Sequence, residues 1–326
     1  MHGLRSSVDG PDSEDKGLAE TTADQLSGSD VPFHPTVPGL ALGALRAEPR
    51  YQVEDLLGKG ANGRVYLVED RDLGRRVAVK VLAGGSTPGR VEAFLREARV
   101  AAALEHPNIA PVYEVATTDL GQVWFSMRRI EGRTLEAALT AEREDGDHHL
   151  GDHHRRVSLI LDVANALRAA HAQGIVHRDV KPSNIMLGRY GEVLLLDWGT
   201  AASSGTDARP GGPVGTPLYM SPQQARGEEA TPADDIYGLG ATLCELLLLR
   251  PPLRSRLPDL FWKLKQAGTI DAFTAEERRR VPRQLLAVVQ HALEVDPTRR
   301  YPSVDALAAD LDQWQAGQPV SACRET

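Results

Sequence analysis

Two short polar segments carry the side chains of this chain that are best suited to chemistry. The first runs from His177 to Asn184 and reads His-Arg-Asp-Val-Lys-Pro-Ser-Asn, and the second is Asp197-Trp-Gly199. Together they supply two carboxylates, an amide and a lysine. Oxygen ligands of this kind hold Mg²⁺, a carboxylate can accept a hydroxyl proton, and a lysine can neutralise phosphate charge. The pattern therefore indicates a site for a magnesium-bound triphosphate.

A further lysine lies in an apolar segment, Val77-Ala-Val-Lys80, that is typical of a β-strand. Side chains alternate between the two faces of a strand, so Lys80 shares the face of Ala78 and points into whatever that face covers. A buried ammonium group is unfavourable unless it is paired. We expect Glu97, in the helical segment that follows, to be its partner, with Glu92 as the second choice. An exposed lysine on an edge strand is the alternative.

Glycines at positions 58, 60 and 63 lie between the first two predicted strands. A glycine-rich loop can bring backbone N–H groups close to phosphate oxygens. Such hairpin turns are also common without any ligand, so this motif alone leaves an ordinary turn as an equal alternative. Because the loop joins two strands and does not open a helix, it argues against a dinucleotide-binding fold.

Taken together, in this order and at these spacings, the motifs resemble those of the eukaryotic-like (Hanks-type) bacterial serine/threonine protein kinases. The resemblance extends over about residues 51–316. It implies transfer of the γ-phosphoryl group of ATP to serine and threonine hydroxyls of protein substrates, and the ability to autophosphorylate. It also implies Mg²⁺, or Mn²⁺ in its place, as the cation. The lysine two residues after Asp179 is the form typical of the serine/threonine type.

The resemblance assigns roles to individual residues. Asp179 would be the catalytic base, and Lys181 would contact the γ-phosphate. Lys80 would contact the α- and β-phosphates and pair with Glu97. Asn184 and Asp197 would hold the metal. The phosphates would lie under Gly58, Gly60 and Gly63.

The adenine ring would be bound mainly by apolar groups. The resemblance implies that Val65, Ala78 and Met186 would sandwich the ring. Met127 would be the gatekeeper, and the backbone of Arg128 and Ile130 in the hinge would bind adenine. Gly215-Thr216-Pro217 resembles the family's substrate-docking turn, in which the Thr216 hydroxyl would bind Asp179 or Lys181. Asp235 matches the aspartate that anchors the backbone of the catalytic loop.

Two positions depart from the commonest family pattern. Trp198 stands where phenylalanine is usual, and the small Ala101 on the neighbouring helix would compensate for its volume. Gln223 stands where a glutamate usually pairs with an arginine, here Arg300. Glutamine can still accept a hydrogen bond from the guanidinium, but it leaves the charge less well compensated. We therefore expect Gln223→Glu to raise the melting temperature.

Two loop segments have open interpretations. Ser203, Ser204 and Thr206 could be phosphorylated close to Arg178, or their segment could be no more than a flexible loop. The extra segment Ala141–Asp152 leads into four histidines, His148, His149, His153 and His154. Their spacing could hold a transition metal. No cysteine lies nearby and the segment is rich in glycine and aspartate, so a solvated loop is favoured.

The elements that must position these groups change character near residue 132. Short β-like segments precede this point, with one helical segment from about Pro88 to Leu104. Helical periodicity dominates afterwards, apart from a small hairpin at Ile185–Leu187 and Val193–Leu196. This order predicts an α+β, bilobal, kinase-like fold, with a small β-rich N-lobe containing one main helix and a larger helical C-lobe. The predicted kinase domain covers 46–318, with the N-lobe at about 51–128, the hinge at about 128–132 and the C-lobe at about 133–318.

Composition limits the class of protein. The chain has 326 residues, two cysteines and a net charge of −8, and seven acidic against two basic residues lie within residues 1–30. Residues 1–45 are therefore predicted to be a disordered acidic tail, and 319–326 a short C-terminal tail. The acidic balance argues against nucleic acid as a partner, and two cysteines argue against a disulfide framework. No apolar run approaches the roughly 18 residues that span a bilayer, so we expect no membrane segment and a cytoplasmic location.

Two other function classes remain. A pseudokinase, which is a nucleotide-binding scaffold without turnover, is the main alternative. Such proteins typically lose the residues that correspond to Lys80, Asp179 or Asp197, and all three are present. A small-molecule phosphotransferase of kinase-like fold is the other, but the expected docking turn and the helix-rich end favour protein substrates. The physiological substrate, the activating signal and the oligomeric state stay open.

Overall fold

The computed structural model describes residues 50–60, 63–82, 87–117, 122–146, 150–204, 214–255 and 257–323. The predicted acidic tail at 1–45, Thr206, His148 and His149 lie outside these ranges, so their interpretations stay predictions. Within the described ranges, no helix is both long enough and apolar enough to cross a membrane.

The first part of the chain forms an antiparallel sheet and one long helix. Its strands are β1 (Tyr51–Lys59), β2 (Gly63–Asp70), β3 (Arg75–Leu82), β4 (Val112–Thr117) and β5 (Val123–Arg128). They hydrogen-bond in the order β1-β2-β3-β5-β4, so β3 is the central strand. Helix α1 (Pro88–Ala103) follows β3 and begins with a proline, which suits the first helical turn.

Strand β3 separates two apolar clusters because its side chains alternate between faces. Val77 and Val81 belong to one cluster with residues of the neighbouring strands. Leu82 packs on the opposite face with Phe94 of α1. Lys80 shares the face of Leu82 by this alternation, and it is therefore directed towards α1.

The rest of the chain is mostly helical. Its helices are α2 (Leu135–Asp145), α3 (His153–Ala172), α4 (Pro222–Arg226), α5 (Pro232–Leu248), α6 (Pro258–Gln266), α7 (Ala275–Arg280), α8 (Arg283–Ala292) and α9 (Val304–Gln315). Helix α5 is buried along nearly its whole length, as expected for a helix that is apolar all round. Gly240 allows α8 to approach α5 closely, because a Cβ at this position would lie 2.6 Å from the Cβ of Ala292. The core of this part is therefore built around α5.

Short strands complete the fold between these helices. They are β6 (Gly132–Thr134), β7 (Ile175–Val176), β8 (Ile185–Gly188), β9 (Val193–Leu195) and β10 (Ala202–Ser203). Strands β6, β8 and β9 form one small sheet, and β7 pairs with β10. The hairpin predicted from the two apolar runs is present as β8 and β9.

The predicted bilobal α+β fold is confirmed, with two local corrections. The segment 141–152 is not a solvated loop throughout, because α2 continues to Asp145 and Glu142 is buried in an ion pair with Arg156 of α3. A charged pair has no apolar periodicity that would reveal its burial. Helix α7 was not predicted, because no residue in it is buried and it therefore carries no hydrophobic pattern.

Candidate active site

A buried carboxylate near the start of α5 holds the segment His177–Asn184 in place. Asp235 accepts hydrogen bonds from the backbone N–H groups of His177 at 2.8 Å and Arg178 at 2.7 Å, and it lies 2.8 Å from Nε2 of His171. Burial alone would raise the pKa of Asp235, but the hydrogen bond and the electrostatic attraction of His171 outweigh burial and lower it. The anchor also stabilises Arg178 at a φ of 71°, an unfavourable value for a side chain of this size.

The carboxylate of Asp179, the expected base, is held by three donors. Its Oδ2 lies 2.7 Å from Nζ of Lys181 and accepts a hydrogen bond from Nδ2 of Asn184 at 3.2 Å. Its Oδ1 accepts a hydrogen bond from the backbone N–H of Thr216 at 2.8 Å. Lys181 also donates to the hydroxyl group of Thr216. A carboxylate fixed in this way can orient a substrate hydroxyl and accept its proton.

The turn that carries Thr216 approaches the segment of the candidate base too closely for a side chain. Gly215 has a φ of 118°, and a Cβ on it would lie 2.8 Å from the backbone oxygen of Arg178. The backbone N–H groups of Tyr219 and Met220 donate to the backbone oxygen of Thr216 at 3.0 Å and 3.2 Å, which closes the turn. The segment expected to dock substrate therefore lies directly against the candidate base.

Lys80, on the central strand β3, contacts two carboxylates. Its Nζ bonds to Glu97 of α1 and lies 3.2 Å from Oδ1 of Asp197. The side chains of Lys80 and Glu97 are 11% and 5% exposed, whereas that of Asp197 is 43% exposed. Glu92, the second candidate partner, pairs with Arg96 at 3.0 Å, where both side chains are exposed. The interpretation of Lys80 as an exposed edge-strand lysine is therefore wrong.

Electrostatic effects set the charges of these three groups. Burial alone would lower the pKa of Lys80, but the carboxylates of Glu97 and Asp197 outweigh burial and raise it. Burial raises the pKa of Glu97 to about 7, against the lowering effect of Lys80. Loss of solvent around Asp197 would raise its pKa, but the ammonium of Lys80 lowers it overall. A charged lysine beside an ionised, partly exposed aspartate suits contacts with phosphate and a cation.

Asp197 and Asn184 offer oxygen atoms for a divalent cation. Asp197 has a φ of 63° at the start of the turn Trp198–Thr200. Asn184 uses Nδ2 to bind the backbone oxygen of Asp179 at 2.9 Å, so its side-chain oxygen is the atom that could coordinate. Across the described ranges, no group of three or more His, Cys, Asp or Glu side chains could hold a metal. Mg²⁺ usually takes one or two protein ligands and completes its shell with phosphate and water. The donor set therefore fits Mg²⁺.

The strand register brings the side chains expected around adenine onto neighbouring strands. Ala78 of β3 lies opposite Met127 of β5, and Val65 of β2 lies opposite Lys80. Val65, Met127 and Met186 of β8 are each partly exposed. They leave apolar surface open that a planar ring could cover.

One backbone N–H group of the expected hinge already has a hydrogen-bond acceptor within the protein. The N–H of Arg128 donates to the backbone oxygen of Pro111 at 3.0 Å, so only its carbonyl oxygen could accept a hydrogen bond from a ligand. Ile130, two residues later, is partly exposed. The nucleotide contacts assigned to these two residues stay predictions.

The glycine-rich segment forms a tight turn at its described ends. The backbone N–H of Gly60 donates to the oxygen of Gly63 at 2.8 Å, and Gly58 lies opposite Val65 in the sheet. A Cβ on Gly63 would lie 2.5 Å from the backbone oxygen of Val81, so close strand pairing alone requires a glycine there. Both the phosphate-binding and the ordinary-turn interpretations therefore fit this segment.

The tryptophan that departs from the family pattern is accommodated by close packing. Trp198 is buried, and its ring meets that of His177 edge to face with centroids 4.6 Å apart. Helix α1 packs against the turn that Trp198 begins. Ala101 of α1 is buried in the same cluster, which is consistent with the expected exchange of volume.

Gln223 hydrogen-bonds to Arg300, as its side chain allows. Its Oε1 accepts from Nη2 of Arg300 at 2.6 Å, while its Nε2 donates to the backbone oxygen of Val295 at 2.9 Å. Arg300 also donates to the backbone oxygens of Glu294, Val295 and Ala233. The guanidinium N–H groups of Arg300 thus have several hydrogen-bond acceptors, although Arg300 forms no ion pair with a described carboxylate.

Sequence reasoning missed two supports of the site. The hydroxyl of Tyr219 bonds to Glu245 of α5, which also pairs with Arg143 of α2. A glutamate inside the apolar run 243–249 was a usable signal, because a buried carboxylate requires partners. His171, which binds Asp235, gave no such signal, since a histidine near the end of a helix has many roles.

The described histidines of the extra segment have separate environments. Nε2 of His153 lies 3.2 Å from the backbone oxygen of Arg280, and the ring of His154 packs on Trp314 with centroids 4.6 Å apart. The two remaining histidines of this group lie outside the described residues, so the metal-binding interpretation is untested for them.

The described serines proposed for phosphorylation lie at the end of β10, which pairs with β7. Ser203 is the last residue of β10, and the backbone N–H of Ser204 donates to the oxygen of Gly174 at 2.7 Å. Phosphorylation of either residue stays a prediction.

The matching sequence model and relatives agree with this geometry. The sequence model of the protein kinase domain matches residues 51–311. The chain is 35% identical over 296 residues to the serine/threonine-protein kinase PknD of Chlamydia caviae, covering 83% of this chain and 32% of that protein. It is 34% identical over 282 residues to the probable serine/threonine-protein kinase SCO3848 of Streptomyces coelicolor, covering 84% of this chain and 41% of that protein.

The chain thus spans less than half of the length of either relative. The expected resemblance to bacterial serine/threonine protein kinases, and with it the expected class of enzyme, is confirmed at the level of the family. Since the family model matches most of the chain and the polar groups of its motifs converge in the structure, the chain belongs to the protein kinase domain family.

Proposed function

We propose that this chain transfers the γ-phosphoryl group of Mg²⁺-bound ATP to serine and threonine hydroxyls of protein substrates, itself among them. The observation that carries the proposal is the double contact of Lys80 with Glu97 and Asp197. It is accompanied by a second carboxylate, Asp179, that three donors fix. A buried charge network of this kind contributes little to folding stability and is typical of functional sites.

Each polar residue has a distinct part in the proposed reaction. Asp179 orients the substrate hydroxyl and accepts its proton as the new P–O bond forms, while the bond from the γ-phosphorus to the bridging oxygen breaks and ADP leaves. Lys181, whose ammonium lies beside Asp179, stabilises negative charge on the transferred group. Lys80, fixed by Glu97, binds the phosphates that remain on the nucleotide. When bound by the two oxygen donors described above, Mg²⁺ would neutralise phosphate charge.

Two features support a protein substrate. The turn that contacts Asp179 through Thr216 leaves Leu218 37% exposed beside the site, where a polypeptide could pack. The relatives that cover this chain are named as serine/threonine protein kinases. A pseudokinase remains the competing function, but no observation favours it, because all six polar groups of the site are present: Lys80, Glu97, Asp179, Lys181, Asn184 and Asp197.

Phosphoryl transfer from γ-labelled ATP tests the proposal. The chain is incubated with labelled ATP, Mg²⁺ and a peptide library containing serine and threonine, and the products are mapped by mass spectrometry. Asp179→Asn should lower the rate by about 10²–10⁴-fold, the usual effect of losing a positioned base. Asp312→Asn, on the exposed side of α9, is the matched control and should leave the rate unchanged.

The outcomes separate the candidate functions. Nucleotide binding without transfer to any acceptor would identify a pseudokinase, and label on small molecules alone would exclude protein substrates. Full activity of the Asp179→Asn variant would remove this residue from the role of base.

A further inference from the structure

A second lysine, Lys265 of α6, is buried far from the phosphate-binding groups in sequence. It is 1% exposed, and its Nζ donates to the backbone oxygen of Leu218 at 3.0 Å. The hydroxyl oxygen of Tyr237 lies 3.5 Å from the same Nζ, and the ring centroid of Tyr237 lies 4.8 Å away. Among the residues that the structure describes, no carboxylate forms an ion pair with Lys265. The buried ammonium therefore has a backbone carbonyl oxygen, and not a carboxylate, as its hydrogen-bond acceptor.

The carbonyl that Lys265 binds belongs to the turn that contacts the candidate base. Two residues before Leu218, the backbone N–H of Thr216 donates to Asp179 at 2.8 Å. The turn 216–220 is closed by its own backbone hydrogen bonds, so a shift at Leu218 is transmitted to Thr216. The side chain of Leu218 faces solvent while its carbonyl oxygen faces Lys265.

We propose that Lys265 is a positioning residue for protein substrates, because its hydrogen bond to Leu218 holds the turn 216–220 in register with Asp179. The proposal rests on the protein kinase function proposed above. Lys265 touches no reacting atom and acts only through the turn. Burying an ammonium group is unfavourable. A methionine of similar size could fill the same space, but it could not donate the hydrogen bond to Leu218.

The surroundings of Lys265 make this hydrogen bond depend on pH. The titratable or charged groups on the elements packed around it are Arg226 on α4, Asp234, Asp235, Tyr237, Cys244 and Glu245 on α5, Tyr219 in the turn, and Arg300. The ring of Tyr237 contacts two cations, since the guanidinium of Arg300 also lies near it, 5.1 Å from its centroid. Burial and then repulsion by Arg300 lower the pKa of Lys265 to about 7. Arg300 itself is bound by Gln223, which carries no charge.

A charged donor makes a stronger hydrogen bond than a neutral one. As the pH rises through the pKa of Lys265, at about 7, the ammonium becomes an amine and the hold on Leu218 weakens. The efficiency of transfer to protein substrates should then fall, while the binding of ATP should not change.

The test compares two lysines of the same helix. kcat/KM for a protein substrate is measured across a pH range that brackets the pKa of about 7 in wild type, Lys265→Met and Lys263→Met, where Lys263 is exposed. At the acidic end, Lys265→Met should lower kcat/KM about tenfold, as expected for a lost charged hydrogen bond. It should also abolish the fall in kcat/KM at higher pH. The KM for ATP should be unchanged, and Lys263→Met should match wild type throughout.

A second variant changes the electrostatic surroundings of Lys265 and leaves the lysine in place. Gln223→Glu places a carboxylate on Arg300, which reduces repulsion and should raise the pKa of Lys265. The midpoint of the fall in kcat/KM should therefore move to higher pH, and this shift should vanish in the double variant with Lys265→Met.

Two results would overturn the inference. One is identical behaviour of Lys265→Met and Lys263→Met at every pH. The other is a loss of activity that follows a loss of melting temperature while the pH profile keeps its shape, because Lys265 would then be structural only. Absence of transfer by the wild-type chain would instead overturn the proposed function.

Discussion

Lys80 and Lys265 are both buried, and the two lobes hold them in opposite ways. Lys80 lies between the carboxylates of Glu97 and Asp197, which raise its pKa. Lys265 meets a carbonyl oxygen and an aromatic ring, with Arg300 nearby, and its pKa falls to about 7. Burial disfavours the charge of both side chains. The comparison shows that the partners, and not the burial, decide which lysine keeps its proton.

This difference separates two uses of one residue type. The ammonium of Lys80 is a fixed charge, suited to phosphate oxygens whose own charge does not vary near neutral pH. The ammonium of Lys265 is a donor whose strength varies near neutrality, suited to a contact that adjusts a turn. Substitutions at and around each lysine can break or sharpen this distinction.

Replacing the paired lysine should have the largest effect. Lys80→Met removes a cation from the phosphate site and should lower phosphoryl transfer by about 10²–10³-fold, the usual loss for one preorganised electrostatic donor. Lys265→Met should lower it about tenfold. Values of kcat/KM for a protein substrate, measured with γ-labelled ATP, distinguish the two, and equal losses would break the comparison.

The second effect is on stability as a function of pH. Lys265 has a pKa of about 7 in the folded chain, below its ordinary value of 10.5, so between these values the unfolded chain binds more protons. The free energy of unfolding should therefore rise with pH across this window, by up to about 1.4 kcal/mol per pH unit from this group. Lys265→Met should lack that contribution, and Lys80→Met should keep it.

Urea titrations of the free energy of unfolding at a series of pH values measure this effect. The control, Lys263→Met, should follow wild type because its side chain is exposed. A difference between wild type and Lys265→Met that does not vary with pH contradicts a lowered pKa.

A third substitution disturbs the packing of α1, the helix whose Glu97 pairs with Lys80, and does not touch the surroundings of Lys265. Ala101→Leu adds volume to the cluster that Trp198 fills beneath α1, and overpacking of this kind typically costs about 1–3 kcal/mol. Because α1 also carries Glu97, phosphoryl transfer should fall along with stability. Urea unfolding and initial rates check both, and a variant with unchanged stability and activity would show that the volume exchange is not needed.

The smallest effect should come from Gln223→Glu. The new carboxylate gains an ion pair with Arg300, but it loses the hydrogen bond that Nε2 donates to the backbone oxygen of Val295. We therefore expect the melting temperature to rise by no more than about 2 °C, equivalent to about 1 kcal/mol in a chain of this size. A fall measured by calorimetry would mean that the Val295 contact is the stronger of the two.

Much of the fold could be predicted because its signals are local. The alternation in Val77–Lys80 predicted a strand with Lys80 on the face of Ala78, and a buried lysine predicted Glu97 of the following helix as its partner. The order of polar motifs predicted that Asp179, Asn184 and Asp197 would belong to one site. These inferences needed only residue type and spacing along the chain.

The remaining features depend on how distant helices pack. Lys265 looks like a surface lysine in its helix, but α4, Tyr237 of α5 and the turn 216–220 surround it in the fold. Glu142 and Arg156 likewise appear solvated in sequence, yet they form a buried pair. A charged residue gives the same sequence signal whether water or protein surrounds it, so neither burial could be foreseen.

The close approach of Gly240 to Ala292 has a consequence for genetics. Helix α5 carries near its start Asp235, which holds the segment of the candidate base, and a side chain at position 240 would displace that helix without touching that segment. Alleles at this position would be conditional on temperature, since they weaken the support and leave the chemistry intact. A screen run at one temperature would therefore count such positions among the catalytic residues, and a second, lower temperature would separate them.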